Sequence, residues 1–566
     1  MKKKGIILLA VLCVLCLLTA CGTKEEEKAK EATPPVQGEA QLTAEPTAAG
    51  NNDGLDAVFE TGSAELIAAE IPLPDFDTCE IVMPPDSFWD MFTNQYTEAD
   101  VRDMLKSGFR VATLSPDGKT VVGYVKVTET KTVNIGKNRT SEREVENCIL
   151  AVVSDGKVTV MYPTDQRGRG ELTELIRQDY MGIAGTSWQG PVFGVNGLVF
   201  TGFIWSPDGR YFCPLNVCGM QVKMETAGMQ ASPEARGKAG AEEEEPYSPL
   251  AAYAMVDIQT GEMFALDAMA RNYKAFWYEI WLNGFFSEDG QYFYAFAKGV
   301  KESQQESENP EMEWRIDRYD MNTLEKTVYM SNLPVSTWPL IGMTLLRDGS
   351  VFGATERSNG YDPQNYALVR FNADNQTEKV DLGHFFPDNL ARVGAVEYVV
   401  GSSASGHGLV LVSYFQKGAD IPSGLIRVHM DGDIGMEKNT LWVLSAQTRQ
   451  LEPMAAAEVA EANLAWLASQ GGRYGWSGNY LIIYETKLSP DGRYAVVLAV
   501  DSTSGEVTAV LVRLSDMKSI PIDSPTLCMS RELGRANPDY GHHLMDWTEA
   551  GILITTEETS TLYRFK

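Results

Sequence analysis

One turn sequence recurs along this chain and limits its possible folds more than any other feature. Each copy has an apolar run, then Ser-Pro-Asp-Gly or a close relative, then a second run of alternating apolar residues. Proline presets φ, aspartate accepts backbone N–H bonds within the turn, and glycine takes the positive φ that lets two strands reverse. Every copy therefore predicts a β-hairpin. The copies lie at 113–125, 204–215, 285–297, 345–355 and 487–499, with a weaker one at 546–556.

A second strand–turn–strand pattern follows most copies of the first. It lies at 255–266, 318–330, 369–382, 441–454 and 511–522. Two such hairpins make a four-stranded antiparallel unit, and one more unit is predicted around 396–415. The units recur roughly every 60–90 residues, which is typical of propeller blades that carry insertions. The sequence thus predicts an all-β fold, a single β-propeller over 109–566 with seven blades, and six or eight blades as alternatives.

The SPDG turns resemble those of TolB-type and related WD-like bacterial β-propellers, over about residues 105–566. This resemblance concerns architecture and implies no particular chemistry. In such a propeller a strand from the N-terminal segment, here 61–108, would complete the last blade, whose third strand is predicted at 561–566. Closure of this kind removes a free sheet edge. The predicted closing strand is 79–84.

Three short helices are predicted before or between the blades. Thr97 and Asp100 form a capping-box pattern that opens a helix to about Ser107. Amphipathic runs at 170–178 and 455–469 predict the other two.

The first twenty-one residues, MKKKGIILLAVLCVLCLLTAC, have the pattern of an export signal. Three lysines precede an apolar run from Ile6 to Leu18, which is shorter than the roughly 20 residues that a permanent membrane helix needs. The run ends in Leu18-Thr19-Ala20-Cys21, which resembles the bacterial lipobox. That resemblance implies a signal peptide over 1–20, cleavage before Cys21, and a lipid on its sulfur that anchors the protein.

Residues 21–60 are predicted to be the lipidated cysteine and a disordered tether, because Glu, Lys, Ala, Pro and Thr dominate and large apolar residues are rare. The expected location is the outer, extracytoplasmic face of the cell membrane. The Lys- and Glu-rich tether favours a Gram-positive envelope.

The charge of the chain argues against one class of partner. There are 48 Lys and Arg against 77 Asp and Glu, and loss of three signal lysines takes the formal charge from −29 to −32. Nucleic-acid backbones select clustered positive charge, so no nucleic-acid partner is expected.

Cys213 and Cys218 are five residues apart in a strand-like run. An extended backbone would hold them about 16 Å apart, beyond bridging distance. Pro214 could bend the chain and bring them together. A disulfide is therefore the alternative to the favoured interpretation, which is two buried thiols.

The long insertions are all predicted at one end of the propeller, opposite the tight SPDG turns. They lie at 127–147, 163–197, 216–250, 299–313, 417–439, 455–480 and 523–541. Long loops on a rigid scaffold are where binding tends to concentrate. The candidate ligand-face residues there and in the connections between blades are Tyr180, Trp188, Tyr273, Trp277, Trp338, Tyr474, Trp476 and His543. The aromatic residues could instead fill the wedges between blades.

Recognisable catalytic motifs are missing from the sequence. It has no G-x-S-x-G, no Walker A loop, no dinucleotide fingerprint and no histidine spacing typical of a metal site, so no catalytic residue, metal or cofactor is predicted. The favoured hypothesis is a non-catalytic binding or scaffolding module for a protein, peptide or glycan. The alternative is a hydrolase or lyase acting on envelope polysaccharide, with carboxylates and His543 at the propeller channel. A third is a sensor or assembly subunit of a membrane complex.

Overall fold

The structure is a computed structural model, and the described residues all belong to the unit Ala48–Lys566. They are 54–134, 140–167, 203–214, 251–269, 284–300, 312–331, 333, 340–346, 348–355, 367–372, 377–382, 395–402, 405–416, 419–430, 435–436, 440–455, 458, 480–501, 506–523, 544–555 and 560–566. Strands dominate, as predicted. No helix in these ranges is long and apolar enough to cross a membrane.

The N-terminal segment and the first two sheet units follow one another along the chain. The segment comprises α1 (Leu55–Thr61), β1 (Ala64–Ala69), β2 (Glu80–Val82), a 3-10 helix (Asp86–Met91) and α2 (Glu98–Gly108). The first unit is β3 (Arg110–Leu114), β4 (Val121–Asn134), β5 (Thr140–Ser154) and β6 (Lys157–Val160). After β7 (Tyr162–Pro163) the second unit is β8 (Phe203–Trp205), β9 (Tyr211–Pro214), β10 (Ala251–Asp257) and β11 (Glu262–Met269).

The next three units repeat this antiparallel meander. The third is β12 (Gly284–Phe286), β13 (Tyr292–Val300), β14 (Met312–Asp320) and β15 (Lys326–Met330). The fourth is β16 (Leu340–Leu345), β17 (Val351–Thr355), β18 (Ala367–Phe371) and β19 (Thr377–Asp381). The fifth has an extra strand and contains β20 (Ala395–Ser402), β21 (His407–Gln416), β22 (Ala419–His429), the short β23 (Gly435–Met436), β24 (Thr440–Leu444) and β25 (Leu451–Ala455).

The last seven strands and β1 form one eight-stranded sheet. Its first half is β26 (Ile482–Leu488), β27 (Tyr494–Val500), β28 (Val507–Arg513) and β29 (Lys518–Asp523). Its second half is β30 (Leu544–Thr548), β31 (Gly551–Thr555), β32 (Ser560–Phe565) and β1. The halves join through a parallel pairing of β1 with β29. The described strands thus form seven meander units, which agrees with seven blades, although the blade number itself stays a prediction.

The SPDG sequence explains why each unit begins with a tight hairpin. In the first unit Ser115 Oγ donates to Asp117 Oδ1 at 2.6 Å, and the Lys119 N–H donates to the same oxygen at 3.1 Å. The Thr120 N–H then donates to Ser115 Oγ at 2.9 Å, and Gly118 has a φ of +70°. The turn thereby satisfies its own backbone. The same bonds recur at Ser206–Asp208, Ser287–Asp289 and Ser489–Asp491.

Contacts between first strands define the architecture as a β-propeller. The first strands touch in the order β8, β12, β16, β20, β26 and β30, and β30 also touches β3. Trp205 of β8 donates a hydrogen bond to Thr113 of β3, which connects the first two units. The described first strands therefore lie around a common axis, each innermost in its unit, which is the defining arrangement of a propeller.

The predicted closing strand at 79–84 is wrong, and β1 takes that role. β1 pairs antiparallel with β32 over Leu66–Ala69, and the Lys566 N–H donates to the Glu65 carbonyl at 3.0 Å. β2 instead pairs in parallel with β6 of the first unit. The physical reason lies in the neighbouring helices. Arg102 of α2 donates to the Phe76 and Cys79 carbonyls at 2.7 and 3.0 Å, which holds the chain before β2 beside the first unit. The buried side chains of α1 pack with β27 and β28, which places β1 beside the last strands.

The predicted tether boundary at residue 60 is also wrong, because α1 is a folded helix. Leu55 and Phe59 are buried in a core cluster with Tyr494 and other side chains of β27 and β28. The Asp56 carboxylate bonds Arg513 Nη1 at 3.1 Å. We name α1 and β1 together, residues 55–69, the N-terminal clasp.

The capping-box prediction is confirmed by α2, which spans Glu98–Gly108. Thr97 Oγ1 accepts the Asp100 N–H at 3.3 Å, and Asp100 Oδ2 accepts the Thr97 N–H at 2.8 Å. The run at 170–178 lies outside the described residues, as does nearly all of 455–469.

In the insertion that the sequence predicts at 127–147, the described residues 127–134 and 140–147 extend strands β4 and β5, which corrects the expectation of a loop there. The two strands stay paired from Val127↔Asn147 to Asn134↔Thr140. Buried Glu129 on this hairpin accepts hydrogen bonds from Thr93, Asn94 and Tyr96 at 2.9–3.2 Å, which fixes the N-terminal segment against the first unit. Part of the insertion at 417–439 is likewise strand, namely β22.

Candidate functional site

The innermost strands of three consecutive units carry polar side chains at one equivalent position, two residues before the serine position of the turn. Equivalent positions in repeats have similar orientations, so residues of neighbouring units meet near the axis. These residues are Lys487 in β26, Asp546 in β30 and Thr113 in β3. We name them, together with Glu485 of β26, the channel cluster.

Asp546 is the centre of the channel cluster. Its Oδ1 lies 3.3 Å from Lys487 Nζ, and its Oδ2 accepts a hydrogen bond from Thr113 Oγ1 at 2.8 Å. Thr113 is fully buried and accepts a further bond from Trp205 Nε1 at 3.2 Å. One chain of polar contacts therefore connects four units of the propeller.

Glu485 differs from Asp546 in its surroundings. It follows an irregularity in the β26–β27 ladder and is partly buried, and its Oε1 accepts the Met545 N–H at 3.1 Å. Burial raises the pKa of the Glu485 carboxyl to about 7, and the negative charge of Asp546 adds to this, whereas the Met545 bond and Lys487 oppose it. Near neutral pH this carboxyl can give or take a proton, which is the property a general acid or base needs.

Glu485 is expected to make the stability of the protein depend on pH. Its carboxyl has a pKa of about 7 in the folded state and an ordinary value of 4.5. Between these values the folded state binds more protons, so stability falls as pH rises from 4.5 to 7, by at most about 1.4 kcal/mol for each pH unit. Glu485→Gln keeps the acceptor for the Met545 N–H and should remove this slope. Denaturant unfolding of the wild type and of Glu485→Gln across pH 4.5–8 measures this slope. If the free energy of unfolding changes with pH in the same way in both proteins, the raised pKa is wrongly assigned to Glu485.

A second charged group lies in the second unit. Asp257 is fully buried, bonds Arg167 and has Arg210 Nη2 at 3.5 Å, while Glu262 Oε2 lies 3.2 Å from Arg167 Nε. The Asp257 side chain also accepts the Gln259 N–H at 3.0 Å. These mutual bonds fix the connection from the first unit against the second.

The candidate residues taken from the sequence cannot be compared with this geometry. Tyr180, Trp188, Tyr273, Trp277, Trp338, Tyr474, Trp476 and His543 lie outside the described residues, as do Cys21 and Cys218. Cys213 is buried and in no disulfide, and burial raises its pKa to about 12. In the described part of the chain, no group of three or more His, Cys, Asp or Glu side chains could hold a metal ion.

The channel cluster contains no known sequence motif, although the repeat carries a signal for it. Aligning the copies on their turns puts Lys487, Asp546 and Thr113 in one column. This alignment column contains both positive and negative side chains. Because the strands that carry them all approach one axis, such a column indicates that these side chains contact one another.

Among known proteins, similarity is found to solved structures alone. No protein-family model matches the sequence, and no curated protein matches it. Among solved structures, an oligogalacturonate lyase from Vibrio parahaemolyticus is similar with a TM-score of 0.38 and 11% identity, over 80% of this chain and 87% of that one. The β-propeller domain of the Trilobed protease from Pyrococcus furiosus has a TM-score of 0.34 and 11% identity, over 81% and 92%.

A protein assigned as TolB from Agrobacterium tumefaciens is similar over 57% of this chain and 80% of its own, with a TM-score of 0.28 and 11% identity. Similarities this low carry no argument about activity, and they come from catalytic and TolB proteins alike. Strand order and the contacts of the first strands place the chain among the β-propeller proteins.

Proposed function

We propose that the protein is a lipid-anchored propeller on the extracytoplasmic face of the cell membrane, where it binds a protein, peptide or glycan partner. The observation that supports the binding role is that the side chains of the channel cluster bond to one another. Lys487, Asp546 and Thr113 direct their polar atoms at one another and join neighbouring units. Side chains that bond to one another between units stabilise the ring of units. Recognition of a partner is therefore assigned to residues on the surface.

The surface proposed for the partner is the end that carries the long connections. At the opposite end the SPDG turns are short and pack against one another, and the Glu549 N–H donates to the Pro116 carbonyl at 2.8 Å. Turns that are fixed in this way have little freedom to recognise a ligand. Long connections on a rigid ring have that freedom.

Anchorage is tested by substitution of the lipobox cysteine. With Cys21→Ala, incorporation of labelled fatty acid should disappear, because the sulfur that accepts the lipid is gone. The matched control is Cys16→Ala inside the signal, which should keep the label. The measurement is labelling of cells followed by membrane fractionation. Equal labelling of the two variants, or no label on the wild type, would contradict the proposed anchor.

A second candidate function rests on Glu485, whose carboxyl has a pKa of about 7 beside Asp546. Such a pair could serve as acid and base for a hydrolase or lyase acting on envelope polysaccharide. If so, Glu485→Gln would lower turnover by about 100-fold or more while the protein stays folded, since general acid–base catalysis contributes about 10²–10⁴ in rate. Release of saccharide fragments by the purified protein measures this turnover. If no fragments are released, the result supports the binding role.

A further inference from the structure

The fifth unit brings together two histidines that are 22 residues apart in sequence. His407 begins β21 and His429 ends β22, and they are directly opposite in the antiparallel ladder. Opposite residues of such a ladder project from the same face of the sheet. Their ring centroids are 5.1 Å apart, and the ring planes are inclined by 66°.

We propose that His407 and His429 together bind one transition-metal ion, of the class that includes Zn²⁺, Ni²⁺ and Cu²⁺. Imidazole nitrogen is a preferred ligand of these ions. An ion about 2.1 Å from each nitrogen lies about 3.2 Å from each ring centroid, so two rings on a tetrahedral ion have centroids about 5.2 Å apart. The observed centroid separation of 5.1 Å is close to that distance.

The backbone around the pair is already fixed. The His407 N–H donates to Ser405 Oγ at 3.2 Å. Just after β22, the Met430 N–H donates to the Gly406 carbonyl at 2.9 Å, which holds the end of β22 beside β21. His429 also pairs with Gly435 of β23. Ligands on strands held in this way lose little conformational freedom when an ion binds, which favours affinity.

Burial differs between the atoms of the pair. Both histidines are partly buried as residues, and the His407 Nδ1 atom is itself shielded from solvent. Two protein ligands leave other coordination positions of the ion to water or to a ligand from solution. None of the channel residues takes part, so this site is independent of the proposed function.

The test is a titration of the full-length protein, purified in detergent without a histidine tag, with ZnCl₂ followed by calorimetry. We expect one ion per chain, and His407→Ala or His429→Ala should each weaken the affinity at least tenfold. The controls are His384→Ala and His542→Ala, which should bind Zn²⁺ as the wild type does. Bound Zn²⁺ should raise the Tm of the wild type and leave the Tm of both site variants unchanged.

Other results would overturn the proposal. The wild type binding no Zn²⁺ would do so, whatever the variants show. Retention of full affinity in either site variant, or its loss in His384→Ala or His542→Ala, would place the ion elsewhere. If His407→Ala unfolds, His407→Gln replaces it, and wild-type affinity in that folded variant would equally contradict the assignment.

Discussion

Replacing Phe59 by alanine is expected to lower the free energy of unfolding by about 3–5 kcal/mol, the usual cost of removing a buried aromatic side chain. Phe59 belongs to the N-terminal clasp and is 1% exposed. Its ring stacks on Tyr494 with centroids 5.9 Å apart, and the Arg513 guanidinium lies 5.0 Å from the ring centre. The substitution therefore leaves a cavity and removes both contacts. Urea unfolding of the purified protein measures the loss.

The matched control for Phe59 lies on the same clasp. Ile67 of β1 is 45% exposed, and Ile67→Thr keeps a β-branched side chain in the strand. Its cost should stay within about 0.5–1 kcal/mol, as is usual at exposed positions. If Phe59→Ala and Ile67→Thr destabilise equally, the clasp is not packed against the propeller as described, and ring closure through β1 is wrong.

Replacing Gly118 by alanine should cost about 3–4 kcal/mol, because strain and overpacking act together there. Gly118 lies in the SPDG turn of the first unit with a φ of +70°. A Cβ at this position would lie 2.1 Å from the Ala550 Cβ and 2.9 Å from the Ala550 nitrogen, in the last unit. No side chain fits between the two turns unless the first and last units move apart.

Gly156→Ala separates the two causes. Gly156 has a φ of +73°, and an added Cβ would meet no atom within 4 Å, so only backbone strain of about 1–2 kcal/mol remains. Adding Ala550→Gly to Gly118→Ala should recover part of the loss by removing the closest contact. Equal costs for Gly118→Ala and Gly156→Ala in denaturant unfolding would show that the first and last units do not touch at these turns.

Local chemistry predicts much of this fold. The bonds within each SPDG turn join residues at most five apart, so the Ser-Pro-Asp-Gly sequence alone specifies the hairpins. The capping box of α2 is equally local, with Thr97 and Asp100 three residues apart. Features that a few neighbouring residues determine can be derived from the sequence with turn and capping rules.

The features that the sequence did not reveal depend on distant partners. Thr113 and Asp546 are 433 positions apart, and no local pattern states that β3 and β30 are neighbours. β1 and β2 are both short strands with one apolar face, and only the position of β32 decides which of them closes the ring. The β4–β5 extension is mostly polar, so its sequence pattern predicts a loop in place of the strands.

The central claim is that the end carrying the long connections is the working surface of a membrane-anchored binding protein. Photo-crosslinking in cells tests it most directly, with the reactive residue placed at Trp188 or Trp476 in the connections. The comparison positions are Lys119 and Gln291, which are exposed in the SPDG turns at the opposite end. We predict one recurring crosslinked partner from the first two positions and none from the other two. No partner from either end, together with polysaccharide cleavage that Glu485→Gln abolishes, would contradict the account.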